Sequence, residues 1–173
     1  SEAISDTGNF IRNRLTVLTV VPTSQDPDSD GANELQSSYD LTLTGGNVTI
    51  SNNITFITPE ELGLVNVPIG HVTGTRSVSG SFTCYLSKDT ESSDNSADLW
   101  EDLKGITNVV TNSFALTFKI GGATGTGLDM AMPTCHIDVP THSIEDVISL
   151  ETNFNALPSS IDGTNELSLT YRP

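Results

Sequence analysis

Cations are scarce in this chain: seven Lys and Arg stand against 22 Asp and Glu in 173 residues, a net charge of −15. Gripping a nucleic-acid backbone or an anionic membrane takes clustered cations, so both functions are disfavoured. The acidity reads first as solubility, and second as a surface that lets a polyanion pass without holding it. Cysteine is almost absent. Cys84 and Cys135 cannot form a disulfide framework, and both fall on apolar strand positions, which predicts buried free thiols rather than a bridge. Aromatic residues make up 6% of the chain, with one Trp, and the long loops offer Ser, Asp and Gly instead of an aromatic recognition patch. Long apolar runs are missing as well. The first one, LTVLTVV, is too short and too rich in Thr for a signal or a membrane span, which predicts a chain made in the cytoplasm without a membrane anchor. In that context the glycosylation acceptor patterns at Asn47-Val48-Thr49 and Asn53-Ile54-Thr55 carry little weight.

Convergent chemistry is the last absence. Asp26-x-Asp28-x-Asp30-Gly31 opens like a calcium loop, but Ser37 stands where a bidentate Glu is required and Pro27 intrudes, leaving a solvated loop. GGATGTG follows a strand, as a phosphate loop would, yet no helix follows it and no Lys is placed to reach a phosphate. Cys135, His136, Asp138 and His142 include metal-ligand types, but neighbours on a strand point to opposite faces and cannot converge. The expectation is no enzyme, no metal and no cofactor.

What the chain does contain is period-two alternation. In VTGTRSVSGSFTCYL, residues 72–86, Val72, Gly74, Val78, Gly80, Phe82, Cys84 and Leu86 share one face; the other holds Thr73, Thr75, Ser77, Ser79, Ser81, Thr83 and Tyr85. Such alternation predicts a half-buried antiparallel strand, with Gly80 as the point where so long a strand bends. Its polar face carries hydroxyls and no carboxylate, where an ordinary solvated strand usually shows Lys, Glu or Asp. Arg76, the single charge, falls on the apolar face. A second strip of the same kind, Thr49, Ser51, Asn53 and Thr55, alternates with Val48, Ile50, Ile54 and Phe56, after a hairpin turn predicted at Gly45-Gly46.

Thr58-Pro59-Glu60-Glu61-Leu62-Gly63 combines a capping box, a proline at the first helical position and a terminal glycine, predicting a helical turn at 58–63. Leu64, Val65, Val67 and Ile69 form an apolar loop that needs a partner to cover it. SADLWEDLK, closed by Gly105, predicts a short helix at 96–104 capped by Ser96. A strand predicted at 14–21 looks apolar on both faces at its centre. Near the end, a phase change at Pro133 moves the apolar face from Leu128, Met130 and Met132 to Cys135, Ile137 and Val139, the mark of a bulge. The fold class that results is mainly β: a single domain over 1–173 with eight or nine strands in an antiparallel sandwich or partly open barrel, flanked by one short helix and the helical turn. A chain of this length buries roughly two thirds of its unfolded surface.

ITFITPEELGLVNVPIGHVTGTRSVSGSFTCYL, SADLWEDLK and the closing block MPTCHIDVPTHSIEDVISLETNFNALPSS with NELSLTYRP together resemble the major tail tube proteins of tailed bacteriophages, over roughly residues 39–173. The resemblance lies in the order and spacing of segments and is strongest in the closing block. It implies a β-sandwich whose copies join edge to edge into hexameric rings that stack into a tube in the virion, assembled in the host cytoplasm beside other tail proteins. DNA passes through without specific binding. Some members are doubled, so this chain corresponds to a whole subunit or to one half of a longer one. On this reading Thr73, Thr75, Ser77, Ser79, Ser81, Thr83, Thr49, Ser51, Asn53 and Thr55 line the lumen or a subunit contact. Leu64, Val65, Val67, Ile69 and Arg76 become inter-subunit contacts, with a carboxylate across the boundary for Arg76. The alternatives are another ring-forming tail or secretion-tube component, or an isolated decoration or adhesin-like module.

Overall fold

The structure, a computed structural model, describes residues 16–27, 30–58, 68–87, 95–105, 113–122, 124–144, 148–160 and 163–173. Ten strands and one helix run through them: β1 (Val17–Pro22), β2 (Tyr39–Ser51), β3 (Ile54–Ile57), β4 (Gly70–Thr73), β5 (Ser77–Tyr85), α1 (Ser96–Gly105), β6 (Phe114–Ile120), β7 (Gly127–Ile137), β8 (Thr141–Ile144), β9 (Ile148–Ala156) and β10 (Ser168–Arg172).

Six of the strands close on themselves. The antiparallel order β7-β6-β1-β2-β5-β9 returns to β7 through Cys135, His136 and Ile137, which pair with Ala156, Asn155 and Phe154. Pro133 makes this closure possible. Phe114 pairs with Cys135 but Leu116 with Met132, so β7 carries an extra residue where the sequence phase changes, and it turns from β6 toward β9. The first half of β7 pairs with β10, and the first half of β9 with β8, so both added strands hang from the barrel wall. The result is a mainly antiparallel β barrel with extra strands and a short helix, as the alternation predicts.

The interior is the set of inward-pointing residues. Leu18, Val20, Tyr39, Leu41, Phe82, Leu116, Met132, Cys135, Ile137 and Phe154 are essentially inaccessible. Phe154 is the centre of an aromatic trio, with Phe118 at 5.8 Å and Phe82 at 6.4 Å between ring centroids. Gly80 lies opposite because a Cβ there would stand 2.1 Å from the Asn47 carbonyl oxygen and 2.7 Å from the Phe154 ring. Its role is close packing rather than the bend predicted for it. Cys84 and Cys135 are buried thiols outside any disulfide, and burial pushes the Cys135 thiol up to about 12.

Four local expectations change. Gly45-Gly46 is no hairpin turn: β2 runs through it with a bulge between Leu43 and Gly45, and a Cβ on Gly46 would lie 2.8 Å from the Ser81 carbonyl oxygen. The long strand at 72–86 is two strands, β4 and β5, interrupted at 74–76. The first strand has one fully buried face, Leu18 and Val20, while Val21 on the other is 38% exposed. Finally, Ser96 does not cap its own helix. Its hydroxyl donates to the Tyr85 carbonyl oxygen at 2.7 Å and accepts from the Ser87 amide at 2.8 Å, while the Asn95 carbonyl takes the first helical bond from Leu99.

Leu99 and Leu103 of α1 join the core, and half-buried Trp100 packs edge-on against His142 with Lys104 over its face. Tyr39 fastens the helix to β2: its phenol donates to Asp102 at 2.6 Å and accepts from the Gln36 amide at 2.8 Å. Burial and the Asp102 bond keep that phenol protonated far above the usual tyrosine range. The predicted turn at 58–63 falls largely outside the described residues.

Replacing Phe154 with Ala removes the centre of the trio, and urea unfolding should show a loss of about 3–5 kcal/mol. Gly80→Ala should also destabilise, since its Cβ can be accommodated only by moving β2 or β9; wild-type stability in either variant would contradict this packing.

Candidate assembly surfaces

The barrel's outer wall over β2, β5 and β9 is a polar face without Lys or Arg, in whose paired rows Glu151 is the one carboxylate, built by the second half of each strand's alternation. The registers lay it out in rows: Thr49, Ser79 and Asn155 are neighbours across three strands, continued by His136 on β7; Asn47, Ser81 and Asn153 form the next row. A third row takes Thr83, Glu151 and Thr141, and Ser51 sits opposite Ser77. Side chains within the face bond one another, as where the Asn47 amide donates to the Ser81 hydroxyl at 3.2 Å. Ser77, Ser79, Ser81, Thr83, Thr49 and Ser51 are thereby brought together. Asn47, Asn153 and Asn155 belong with them and were missed by the sequence reading, although β9 shows the same alternation, Leu150, Thr152 and Phe154 facing in while Glu151, Asn153 and Asn155 face out.

The other predicted strip residues lie elsewhere. Past Ser51 and before Ser77 the chain leaves the barrel as an arm in which Ile54 pairs with Thr73, Thr55 with Val72, Phe56 with His71 and Ile57 with Gly70. All eight positions are exposed. Thr55 and Thr73 are therefore arm residues, and Asn53 and Thr75 sit at its root. Ile54 and Phe56, expected on the inner face of a hairpin, are instead 46% and 63% exposed, with Ile57, Ile69 and Val72 beside them in the same condition. A two-stranded ribbon has no second layer to bury them. Ile69 of the predicted contact loop is 69% exposed, while Leu64, Val65 and Val67 lie outside the described residues.

Arg76 finds its carboxylate within the chain. It forms an ion pair with Glu166 and donates from Nη2 to the Thr164 carbonyl oxygen at 2.7 Å, so the expected partner across a subunit boundary is not required. At the barrel's other corner, Arg172 of β10 pairs with Asp129 at 2.9 Å and donates to the Gly122 and Gly125 carbonyl oxygens at 2.6 and 2.9 Å, which fixes the GGATGTG turn structurally.

Of the remaining chemical candidates, Cys135 and His136 do not converge, whereas three carboxylates of the 26–34 loop do. Cys135 faces the core and His136 the outside. Asp26, Asp30 and Glu34 bring one carboxylate oxygen each within 4.8 Å of the others, and the Asp26 carboxylate accepts from the Asp30 and Gly31 amides at 3.2 and 2.9 Å. That loop is organised by its own backbone. Among the described residues, no helix is long and apolar enough to cross a membrane.

Glu166 is 7% exposed, and the Arg76 guanidinium beside it holds its carboxyl below the usual glutamate range. A depressed folded-state pKa gives stability that is present at neutral pH and is lost as pH falls through the folded value. Urea unfolding should therefore show wild type ahead of Glu166→Gln at neutral pH, with the gap closing below the glutamate range. A gap that widens on acidification would contradict the pairing.

No family model matches the chain. It is 35% identical over 162 residues to the tail tube protein pb6 of Escherichia phage T5, an alignment covering 92% of this chain and 32% of that protein, so the chain spans about a third of its relative's length. Among solved structures, a chain from the sheath–tube complex of an extracellular contractile injection system in its extended state superposes with a TM-score of 0.51 at 11% identity, covering 96% of this chain and 95% of that one. A chain of the native gene transfer agent virion covers 76% of this chain and 85% of its own length, at 13% identity and a TM-score of 0.42. At 11% identity the injection-system likeness is one of fold, and it agrees with the barrel described above. Identity sustained over nearly the whole chain makes this protein a tail tube protein homologue.

Proposed function

We propose that the chain is one structural unit of a tail tube, a non-enzymatic virion component whose copies join into rings that stack into a conduit for DNA, in contact with other tail proteins. The homology supports the class of role, and an outer face without Lys or Arg supports the mechanism. Rows of Thr, Ser and Asn on β2, β5 and β9, with Glu151 among them and His136 at one margin, offer a phosphate backbone no Lys or Arg to adhere to. In a protein of net charge −15 the surrounding field repels DNA from the wall, so the polymer slides without being bound. This face is our assignment for the lumen.

The arm supplies the second part. Its apolar residues are exposed on both sides of a ribbon, and burial in an assembly would remove roughly 25 cal/mol per Å² of apolar surface from contact with water. We assign the arm, including Ile69 and the loop residues Leu64, Val65 and Val67, to contacts between subunits or between rings. We also take residues 1–173 as a single β unit, which in a longer protein would be one of its repeated parts. Like-charged subunits repel over about 8 Å at physiological salt, so tube formation should strengthen as salt rises and weaken at low ionic strength.

Two measurements test these assignments on assembled protein. A cysteine placed at Ser79 should react with a small maleimide in tubes but be shielded from a maleimide carrying a bulky polymer; equal reaction with both would move the face to the outside. Phe56→Ser and Ile69→Ser should leave the barrel folded and suppress tube formation in sedimentation, whereas undiminished tubes would remove the arm from the contact. Hydrogen exchange at 69–73 should slow on assembly.

A further inference from the structure

The arm leaves the barrel through two short junctions, and what fixes its direction is a separate matter from what it touches. Residues 52–53 form one junction and 74–76 the other. They are bonded to each other: the Gly74 amide donates to the Asn53 carbonyl oxygen at 2.8 Å, and the Asn53 side-chain amide donates to the Thr75 carbonyl oxygen at 2.8 Å. Asn53 takes a positive φ of 42°, and a Cβ on Gly74 would stand 2.6 Å from the Asn53 carbonyl oxygen, so the crossing is tight. These bonds hold the two junctions together. They do not hold the pair to the barrel.

A cavity of about 570 Å³ opens beside the root, between Ile54 and Thr73 on the arm side and Pro158 and Gly163 on the other, so the arm is not wedged in place by packing. Across that gap runs Arg76. Its Nη2 reaches the Thr164 carbonyl oxygen and the Glu166 carboxylate, and its buried Nε has no hydrogen-bond partner. Glu166 stands two positions before β10, whose far end is anchored by Arg172 on Asp129.

We propose that the Arg76–Glu166 ion pair is a latch that sets the angle of the β3–β4 arm by tying its root to the segment leading into β10. Residues ninety positions apart in sequence thus govern one hinge. The latch is an ion pair in the wall of that cavity, and it can be released without unfolding either the barrel or the arm ribbon. Its consequence for assembly rests on the reading of the arm as a contact surface: a latched arm is pre-oriented for its neighbour, and an unlatched one must be ordered at that neighbour's cost in conformational freedom. Displacement of the β10 lead-in would reach the arm through the same pair.

The test uses the full chain at concentrations where it is unassembled, so that it stands whether or not the protein forms tubes. Nitroxide labels go on cysteines introduced at Val72 in the arm and Asn153 on the barrel, both exposed, with Cys84 and Cys135 inaccessible to labelling. Pulsed electron–electron distance measurement should give one narrow distribution for wild type. Arg76→Ala should broaden or split it while circular dichroism stays native, and the exchange R76E with E166R should restore the narrow distribution. Should Arg76→Ala fail to fold because Glu166 is left buried and unpaired, the R76M/E166L pair removes both charges and is read in the same way. A wild-type distribution already broad, a variant distribution as narrow as wild type, or an exchange that stays broad overturns the latch. Reduced tube formation by Arg76→Ala would carry the effect into assembly. A narrow distribution that widens in the variant, in a protein that never forms tubes, would uphold the latch and refute the tube.

Discussion

Barrel closure at β7 and β9 is the constraint on which the rest depends. Three residue pairs, Cys135 with Ala156, His136 with Asn155 and Ile137 with Phe154, close on itself a single sheet that would otherwise lie open along that side. Closure removes unpaired edges over most of the wall and gives each strand an unambiguous inside and outside. One side of that division is a dry core around Phe154; the other is the polar face. The bulge at Pro133 is what lets one strand serve β6 and β10 first and β9 afterwards, so a single extra residue separates a closed barrel from an open sheet.

What closure leaves over is as informative as what it uses. The arm, β8 and β10 stand outside the six-stranded ring, and the arm and β10 are exposed on both faces, with Leu169 and Tyr171 of β10 more than half accessible. An isolated protein gains nothing from displaying apolar ribbons in this way. On the proposed function each ribbon is surface for a neighbour. The proposed division of labour is spatial: the barrel supplies a polar wall without Lys or Arg, and the strands that escape the barrel are assigned to adhesion.

Much of this was legible in the sequence because it depends on period-two alternation, which is a local property. The inward face of β5, the phase change at Pro133 and the buried thiols followed from it, while the helix around Trp100 followed from its own boundary residues. Where the sequence misled, the deciding partner was distant or the signal was ambiguous. Gly45-Gly46 carries the residues of a turn, yet glycine serves equally where backbones approach, and here Gly46 lies against the Ser81 carbonyl. Alternation across 72–86 has no mark for the break at 74–76, since Gly74 keeps the phase while the chain changes partner. Arg76 on an apolar face signalled a special contact, but nothing local pointed to Glu166. Ser96 looked like a cap and proved to be a brace to Tyr85 and Ser87, because a buried hydroxyl bonds whichever backbone group packs nearest.

The central claim is that the Thr49, Ser79 and Asn155 row faces a bore that carries DNA. A cryo-electron microscopy reconstruction of the purified, assembled protein tests it most directly. The account predicts stacked rings whose inner wall is formed by β2, β5 and β9, with that row pointing to the axis and the arm buried between copies. Rings with this face on the outer surface, or a protein that stays monomeric at high concentration and high salt, would contradict it.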